Sequence, residues 1–150
     1  MEFDIEFTDF LLKGTAALVA GFCMGLERQM KGKHAGLKTN VLVALGAAIF
    51  MMISLIFADS STTDLTRVLG QIVVGVGFLG AGVILRTSDK KRVKGLATAA
   101  TIWCSAAAGC LAGLGIYDIL GGFTVFVVLV NIIFGYLNKK VSENNANLKD

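Results

Sequence analysis

Four glycines near the middle of the chain form the pattern that most invites a chemical interpretation. Gly75, Gly77 and Gly80 match the GxGxxG spacing of dinucleotide-binding loops, and Gly82 follows them. Such a loop binds pyrophosphate only after a β-strand, at the start of a helix and with an acidic residue about 20 positions later. These glycines instead lie inside an apolar stretch, residues 65–85, which a basic segment follows. The sequence therefore favours close packing of membrane helices, which glycine permits by removing side-chain bulk.

Ionisable side chains inside apolar stretches are the next candidates, because a charge at membrane depth is costly and usually has a partner or a function. Asp9 and Lys13 lie four residues apart, so they can pair on one helix face. Arg67 and Gln71 have the same spacing in the glycine-containing stretch. One hypothesis places these four side chains in a single polar pocket that faces outward. The alternative is that Arg67 extends outward and pairs with Asp64 or with the acidic N-terminus.

A second polar group is expected on the cytoplasmic side. Glu27 is the one acid in the basic segment that joins the first two apolar stretches. It is a candidate to hold nearby cations together on the inner face, and these cations are Arg28, Lys38 and Arg86.

Hydroxyl and amide side chains also occur inside the apolar stretches. Thr98, Thr101 and Ser105 follow i, i+3, i+7 spacing, and their hydroxyls are expected either to bond back to backbone carbonyls or to reach a neighbouring helix. Asn131 in the last stretch needs a hydrogen-bond partner.

The sequence does not bring together the residue types that catalysis or a resident metal requires. His34 is the single histidine and has no nucleophile beside it, so a Ser-His or Cys-His arrangement cannot be built. A magnesium site needs clustered oxygen ligands, but Asp9 and Glu27 lie at opposite ends of one predicted helix. We therefore expect no enzyme activity and no cofactor, and Mg²⁺ remains only a candidate ligand.

Composition indicates a membrane protein. Hydrophobic residues make up 55% of the 150 residues, charged residues make up 17%, and the mean hydropathy is +0.71. Apolar runs of about 20 residues are long enough to cross a bilayer as helices. The sequence therefore predicts an all-α, polytopic bundle of five transmembrane helices in residues 1–137, followed by a polar cytoplasmic tail, 138–150, that is expected to fray. The predicted spans are 7–26, 37–57, 65–85, 96–116 and 119–137.

Charge in the connections predicts the orientation of these spans. Basic residues concentrate in 27–38, in 86–95 and in the tail, whereas the intervening connections are acidic or nearly uncharged. The positive-inside rule then places the N-terminus outside and the C-terminus in the cytoplasm.

Two GxxxG motifs predict where helices meet. Gly21 and Gly25 lie in the first span, and Gly109 and Gly113 lie in the fourth. Such faces let backbones approach closely. Together with the glycine-rich third span, they suggest a homodimer.

Several spaced motifs resemble the MgtC/SapB family of bacterial inner-membrane proteins, in the right order and over roughly residues 14 to 135. The matching residues are 25–29, 35–43, Arg67, Gln71, 75–84, 93–96 and 98–107. Two features depart from the family pattern. The first is Lys38, which stands where arginine is usual and weakens any bidentate contact there. The sequence also ends after the last span, where other members continue into a soluble domain.

The resemblance implies a role in low-magnesium adaptation and, in pathogens, in survival inside host cells. It further implies action on other membrane proteins, including the F-type ATP synthase. The leading hypothesis is a non-enzymatic regulator of magnesium and acid-stress physiology in the inner membrane. A magnesium or other cation transporter is the alternative, and a small scaffold without a ligand is a third reading.

Overall fold

Five α-helices account for nearly all of the residues that the structure, a computed structural model, describes, namely 6–57, 65–86 and 93–147. The helices are α1 (Phe7–Met30), α2 (Leu37–Ile56), α3 (Leu65–Gly82), α4 (Leu96–Gly113) and α5 (Tyr117–Asn147). Two short strands, β1 (Leu85–Arg86) and β2 (Val93–Lys94), lie between α3 and α4.

Each of the five helices contains a stretch that is long and apolar enough to cross a membrane, with mean hydropathy between 1.4 and 2.2. The predicted all-α transmembrane bundle is therefore confirmed, and the chain is a multi-pass membrane protein. Its N-out, C-in orientation stays a prediction.

The helix ends differ from the predicted spans at several points. Helix α1 continues to Met30, and α3 ends at Gly82, where the chain turns towards β1. Helix α5 continues to Asn147, so the tail that was expected to fray from residue 138 is helical as far as it is described. Residues 138–147 include lysine, glutamate and alanine and contain neither glycine nor proline, which suits a helix.

Helices α1, α2 and α4 form the centre of the bundle, with α2 packed against both of the others. Small and flexible side chains fill this core, because Ala17, Met24, Ala44, Ala48 and Ala108 are all fully buried. Alanine allows short interhelical distances, and the resulting van der Waals contacts drive helix association in lipid.

Glycines on α1 lie where its backbone meets α2. A Cβ atom added to Gly21 would stand 2.8 Å from the carbonyl oxygen of Asn40, and one added to Gly25 would stand 2.7 Å from Cα of Leu37. Real Cβ atoms do not come this close to backbone atoms. The GxxxG spacing of α1 therefore coincides with a close crossing of two backbones.

Glycines on α4 meet the backbone of α2 in the same way. A Cβ on Gly113 would lie 2.6 Å from the carbonyl oxygen of Ala48, and one on Gly109 would overlap the carbonyl oxygen of Ala44. Helix α2 is thus held between two glycine faces.

Helices α3 and α5 form the periphery. Helix α3 buries Val76 and Gly80, and among the described side chains of α5 only Leu120 is buried. Nothing lies within 4 Å of a Cβ added to Gly75, Gly77 or Gly82, so these three glycines do not make the expected packing contacts among the described residues. Gly80 does meet α4, because a Cβ added there would lie 3.5 Å from Cβ of Ala99.

A short antiparallel ladder joins the ends of α3 and α4, with Leu85 opposite Lys94 and Arg86 opposite Val93. Gly95 follows the ladder with a φ of +97°, and a Cβ there would overlap the carbonyl oxygen of Val83. Glycine is therefore required at the start of α4. The sequence predicted only a basic connection here.

Candidate functional site

A cavity of about 480 Å³ that is lined partly by charged side chains lies between α1, α4 and α5, and we refer to it as the basic cavity. Its charged lining comes from the C-terminal end of α1 and the residues just after it, namely Glu27, Arg28, Lys31 and Lys33. Cations are favoured at this end of a helix, because its free carbonyl groups carry partial negative charge. Hydroxyl, amide and apolar side chains of α4 and α5 complete the wall.

Arg28 is the most deeply buried charge among the described residues, with 5% of the residue exposed. Its Nη2 donates to Oγ1 of Thr98, which lies in the first turn of α4. Its Nε is buried and has no hydrogen-bond partner among the described residues. The geometry of Gly95 fixes the start of α4, and this in turn places Thr98 beside Arg28.

Glu27 forms an ion pair with Lys31, one helical turn further along α1. Nζ of Lys31 also lies 3.4 Å from the carbonyl oxygen of Asn131 on α5, so the lysine connects the two helices. A Cβ on Gly135 would collide with this Nζ, so the absence of a side chain at position 135 makes room for the ammonium group of Lys31. The second oxygen of Glu27, Oε2, is buried without a partner among the described residues.

The structure does not bring Glu27 together with all the cations that the sequence offered. Arg28 is its neighbour in the cavity, whereas Lys38 is exposed and does not line the cavity. Arg86 lies in β1, and its side chain is outside the described part of the structure.

Thr101 bonds back to its own helix and also lies beside a polar side chain of α5. Its Oγ1 donates to the carbonyl oxygen of Ala97 at 2.9 Å and lies 3.5 Å from Oδ1 of Asn131. Nδ2 of Asn131 is buried with no partner among the described residues. Three unsatisfied polar atoms, on Glu27, Arg28 and Asn131, therefore belong to residues that line one cavity.

A fully buried hydrogen-bond network links α2 and α4 behind the basic cavity. Asn40 is 0% exposed, its Nδ2 donates to the carbonyl oxygen of Gly36 at 2.7 Å, and its Oδ1 accepts from Oγ of Ser105 at 2.8 Å. Sequence reasoning did not single out Asn40. The available signal was an asparagine near the start of an apolar span, where its side chain needs a partner.

The four residues of the hypothesised outward-facing pocket lie in two separate places. Lys13 pairs with Asp9 at 2.6 Å and lies near Gly115, in the turn between α4 and α5. Gln71 instead lines an apolar cleft of about 530 Å³ between α2 and α3, and Arg67 is exposed. The four do not meet because α3 packs mainly on α4 and α2, while α1 packs on α2, α4 and α5. Asp64, the other expected partner of Arg67, is outside the described residues.

Metal-binding residues do not cluster in the part of the chain that the structure describes. No group of three or more His, Cys, Asp or Glu side chains is placed to hold an ion there. Cys23, Cys104 and Cys110 are free thiols. Among its described lining residues, the basic cavity holds one acid against three cations.

Comparison with known proteins places this arrangement in a family. A model described as the MgtC family matches residues 15–140. Protein MgtC of Brucella abortus is 49% identical over 78% of this chain and 48% of its own length. Protein MgtC of Salmonella typhimurium is 41% identical over 89% of this chain and 56% of its own length. An uncharacterized protein of Synechocystis is 47% identical over 82% of this chain and 52% of its own length.

The chain thus spans about half the length of the curated relatives it matches. No solved structure matches it. The family model covers all five helices in whole or in large part, together with the basic cavity and the Asn40–Ser105 network. The chain belongs to the MgtC family.

Proposed function

We propose that this protein is a non-enzymatic regulator in the bacterial inner membrane that acts through contacts with other membrane proteins. Its physiological setting is adaptation to low magnesium and, in a pathogen, virulence and survival inside host cells. Membership of the MgtC family and the relatives named MgtC support this setting. The membrane part of the F-type ATP synthase is a candidate partner, and a second copy of this chain is another.

The charge of the basic cavity is the observation that favours regulation over cation transport. A path for Mg²⁺ requires several oxygen ligands, with carboxylates prominent among them. The described charges here are Arg28, Lys31 and Lys33 against Glu27, which is already paired with Lys31. With Lys31 and Glu27 neutralising each other, Arg28 and Lys33 leave the cavity with net positive charge, which repels a divalent cation.

The peripheral helices supply surfaces suited to partner proteins. Ile132 and Ile133 on α5 are 47% and 50% exposed, and Phe78 on α3 is 83% exposed. Within a membrane, such faces accept either lipid or another helix. The regulator would thus use α3 and α5 for recognition and the α1–α2–α4 core for rigidity.

Flux and complementation measured together test the proposal. We expect purified protein in proteoliposomes to give no saturable Mg²⁺ flux above protein-free vesicles. In a strain lacking its own family member, the wild-type chain should restore growth at low magnesium. Ile133→Ala and Phe78→Ala should weaken this growth without lowering the amount of folded protein.

A variant of a half-buried residue on α1, Cys23→Ala, leaves the faces of α3 and α5 unchanged; it is the matched control and should restore growth like wild type. Saturable Mg²⁺ flux that Glu27→Gln or Asp9→Asn abolishes would overturn the regulator and favour the transporter. Full complementation by both exposed-face variants would contradict recognition through α3 and α5.

A further inference from the structure

The basic cavity contains buried polar atoms that have no hydrogen-bond partner among the described residues. Nε of Arg28 and Nδ2 of Asn131 are donors, Oε2 of Glu27 is an acceptor, and all three are buried without partners among the described residues. Arg28 is 95% buried, so bulk water does not compensate it. Buried polar groups without partners cost free energy, and their presence around one cavity points to an occupant.

The donors and charges of the cavity match an oxyanion. Arg28, Lys31 and Lys33 supply positive charge, and Arg28 and Asn131 supply directed N–H donors. Arginine and lysine are the usual phosphate-binding residues, and charge-assisted hydrogen bonds to phosphate are stronger than neutral ones. Oε2 of Glu27 is an acceptor and therefore requires a hydrogen-bond donor. A hydroxyl group next to the phosphate provides one.

Part of the cavity wall is apolar and exposed on the surface of the bundle. Phe126, Val130 and Phe134 of α5 line it, and they are 69%, 53% and 58% exposed. These side chains continue the cavity onto the lipid-facing surface of α5. An occupant with a charged end and a long apolar part therefore fits better than a small soluble ion.

Lys31 is placed to respond to such an occupant. It is 39% exposed at the side chain, it pairs with Glu27, and its Nζ reaches the carbonyl oxygen of Asn131 at 3.4 Å. A lysine side chain is flexible, so its ammonium group can turn to a phosphate while remaining close to Glu27.

We propose that the basic cavity binds the phosphate group of an anionic phospholipid whose headgroup carries free hydroxyls, as in phosphatidylglycerol. The phosphate accepts from Arg28, Asn131 and the lysines, a headgroup hydroxyl donates to Glu27, and the acyl chains lie along α5. This site goes beyond the proposed regulatory role and does not depend on it.

Native mass spectrometry of the full chain from nanodiscs that mix phosphatidylglycerol and phosphatidylcholine tests the site. Wild type should retain phosphatidylglycerol in preference. Asn131→Leu and Lys33→Gln should each weaken its apparent affinity by about threefold to tenfold, because each removes a donor to the phosphate. Arg28→Gln should weaken it most. Arg28→Gln also loses the hydrogen bond to Thr98 and for that reason is the variant most at risk of not folding. If it does not fold, Asn131→Leu and Lys33→Gln decide the test.

Lys38→Gln is the matched control, because it removes an exposed lysine that does not line the cavity. It should bind phosphatidylglycerol like wild type. Equal loss in Lys38→Gln and Lys33→Gln would overturn the site, and no preference for phosphatidylglycerol in wild type would overturn this lipid as its occupant. A second arm adds inorganic phosphate in pure phosphatidylcholine nanodiscs. Phosphate binding there that Asn131→Leu weakens, without any preference for phosphatidylglycerol, would retain the phosphate site and overturn the lipid as its source.

Discussion

Glycines are spaced for close helix packing both in the α1–α2–α4 core and in helix α3, but the two regions use them differently. In the core, Gly21, Gly25, Gly109 and Gly113 lie so close to α2 that a Cβ atom would meet its backbone. In α3, Gly75, Gly77 and Gly82 have open space where a Cβ would be. The same residue type therefore creates a contact in one region and leaves a smooth surface in the other.

The difference shows that a glycine motif has a structural effect only through the backbone opposite it. Helix α2 presents carbonyl oxygens of Asn40, Ala44 and Ala48 to the core glycines. Helix α3 instead meets α4 at Gly80, beside the single methyl group of Ala99. The spacing of glycines in the sequence does not distinguish a glycine in backbone contact from one beside open space. The effect of substituting each glycine on stability does.

The largest contrast is expected between Gly109→Leu and Gly75→Leu. The first places a bulky side chain against the carbonyl oxygen of Ala44, and backbone cannot move aside cheaply, so we expect a loss of at least about 2 kcal/mol in the free energy of unfolding. The second should leave stability unchanged or raise it by up to about 1 kcal/mol, because leucine favours the helix over glycine and nothing lies within 4 Å of a Cβ at position 75. Unfolding of both proteins in mixed micelles, followed by circular dichroism, measures the difference. Equal losses would contradict an open α3 face.

A smaller contrast, with opposite signs, is expected between Gly25→Ala and Gly77→Ala. A methyl group at position 25 meets Cα of Leu37, so stability should fall by about 1–3 kcal/mol. At position 77 alanine favours the helix and should raise stability by about 0.5–1 kcal/mol. The same unfolding assay gives both values. If Gly77→Ala instead unfolds more easily and a dimer is lost with it, a second copy occupies this face.

The smallest effect concerns hydroxyl groups in the two regions. Ser105→Ala leaves Oδ1 of the fully buried Asn40 without its donor and should cost about 1 kcal/mol. Thr124→Ala on peripheral α5 removes a hydroxyl that donates to the carbonyl oxygen of Leu120 at 2.7 Å, within its own helix. Its effect should be near zero, because that carbonyl keeps its place in the helix. A larger cost for Thr124→Ala would reverse the ranking of core over periphery.

The sequence was sufficient to predict the five helices, because a backbone that crosses a membrane must satisfy its hydrogen bonds within each span. It was also sufficient for the pair of Asp9 and Lys13, which depends only on helical spacing. The pair of Glu27 and Lys31 has the same spacing. The sequence did not single it out, because Arg28, Lys38 and Arg86 were the expected partners of Glu27.

Contacts between helices were beyond the sequence, because they depend on which helices are neighbours and how each is rotated. Gln71 lines a cleft with α2 instead of meeting Asp9, since α3 packs mainly on α4 and α2 whereas Asp9 lies on α1. Asn40 and Ser105 are 65 residues apart in the chain and meet only through the crossing of α2 and α4. The basic cavity likewise requires three helices to converge.

The ladder of β1 and β2 has a mechanical consequence for α3. One end of this helix is tied to α4 by backbone hydrogen bonds, whereas its length buries little beyond Val76 and Gly80. Such a helix can separate from the bundle as a unit while the ladder still holds one of its ends. This local opening costs only a fraction of the free energy of global unfolding. Amide hydrogen exchange should therefore be faster along α3 than where α2 is enclosed by α1 and α4, and an incoming helix could take the place that α3 vacates without dismantling the core.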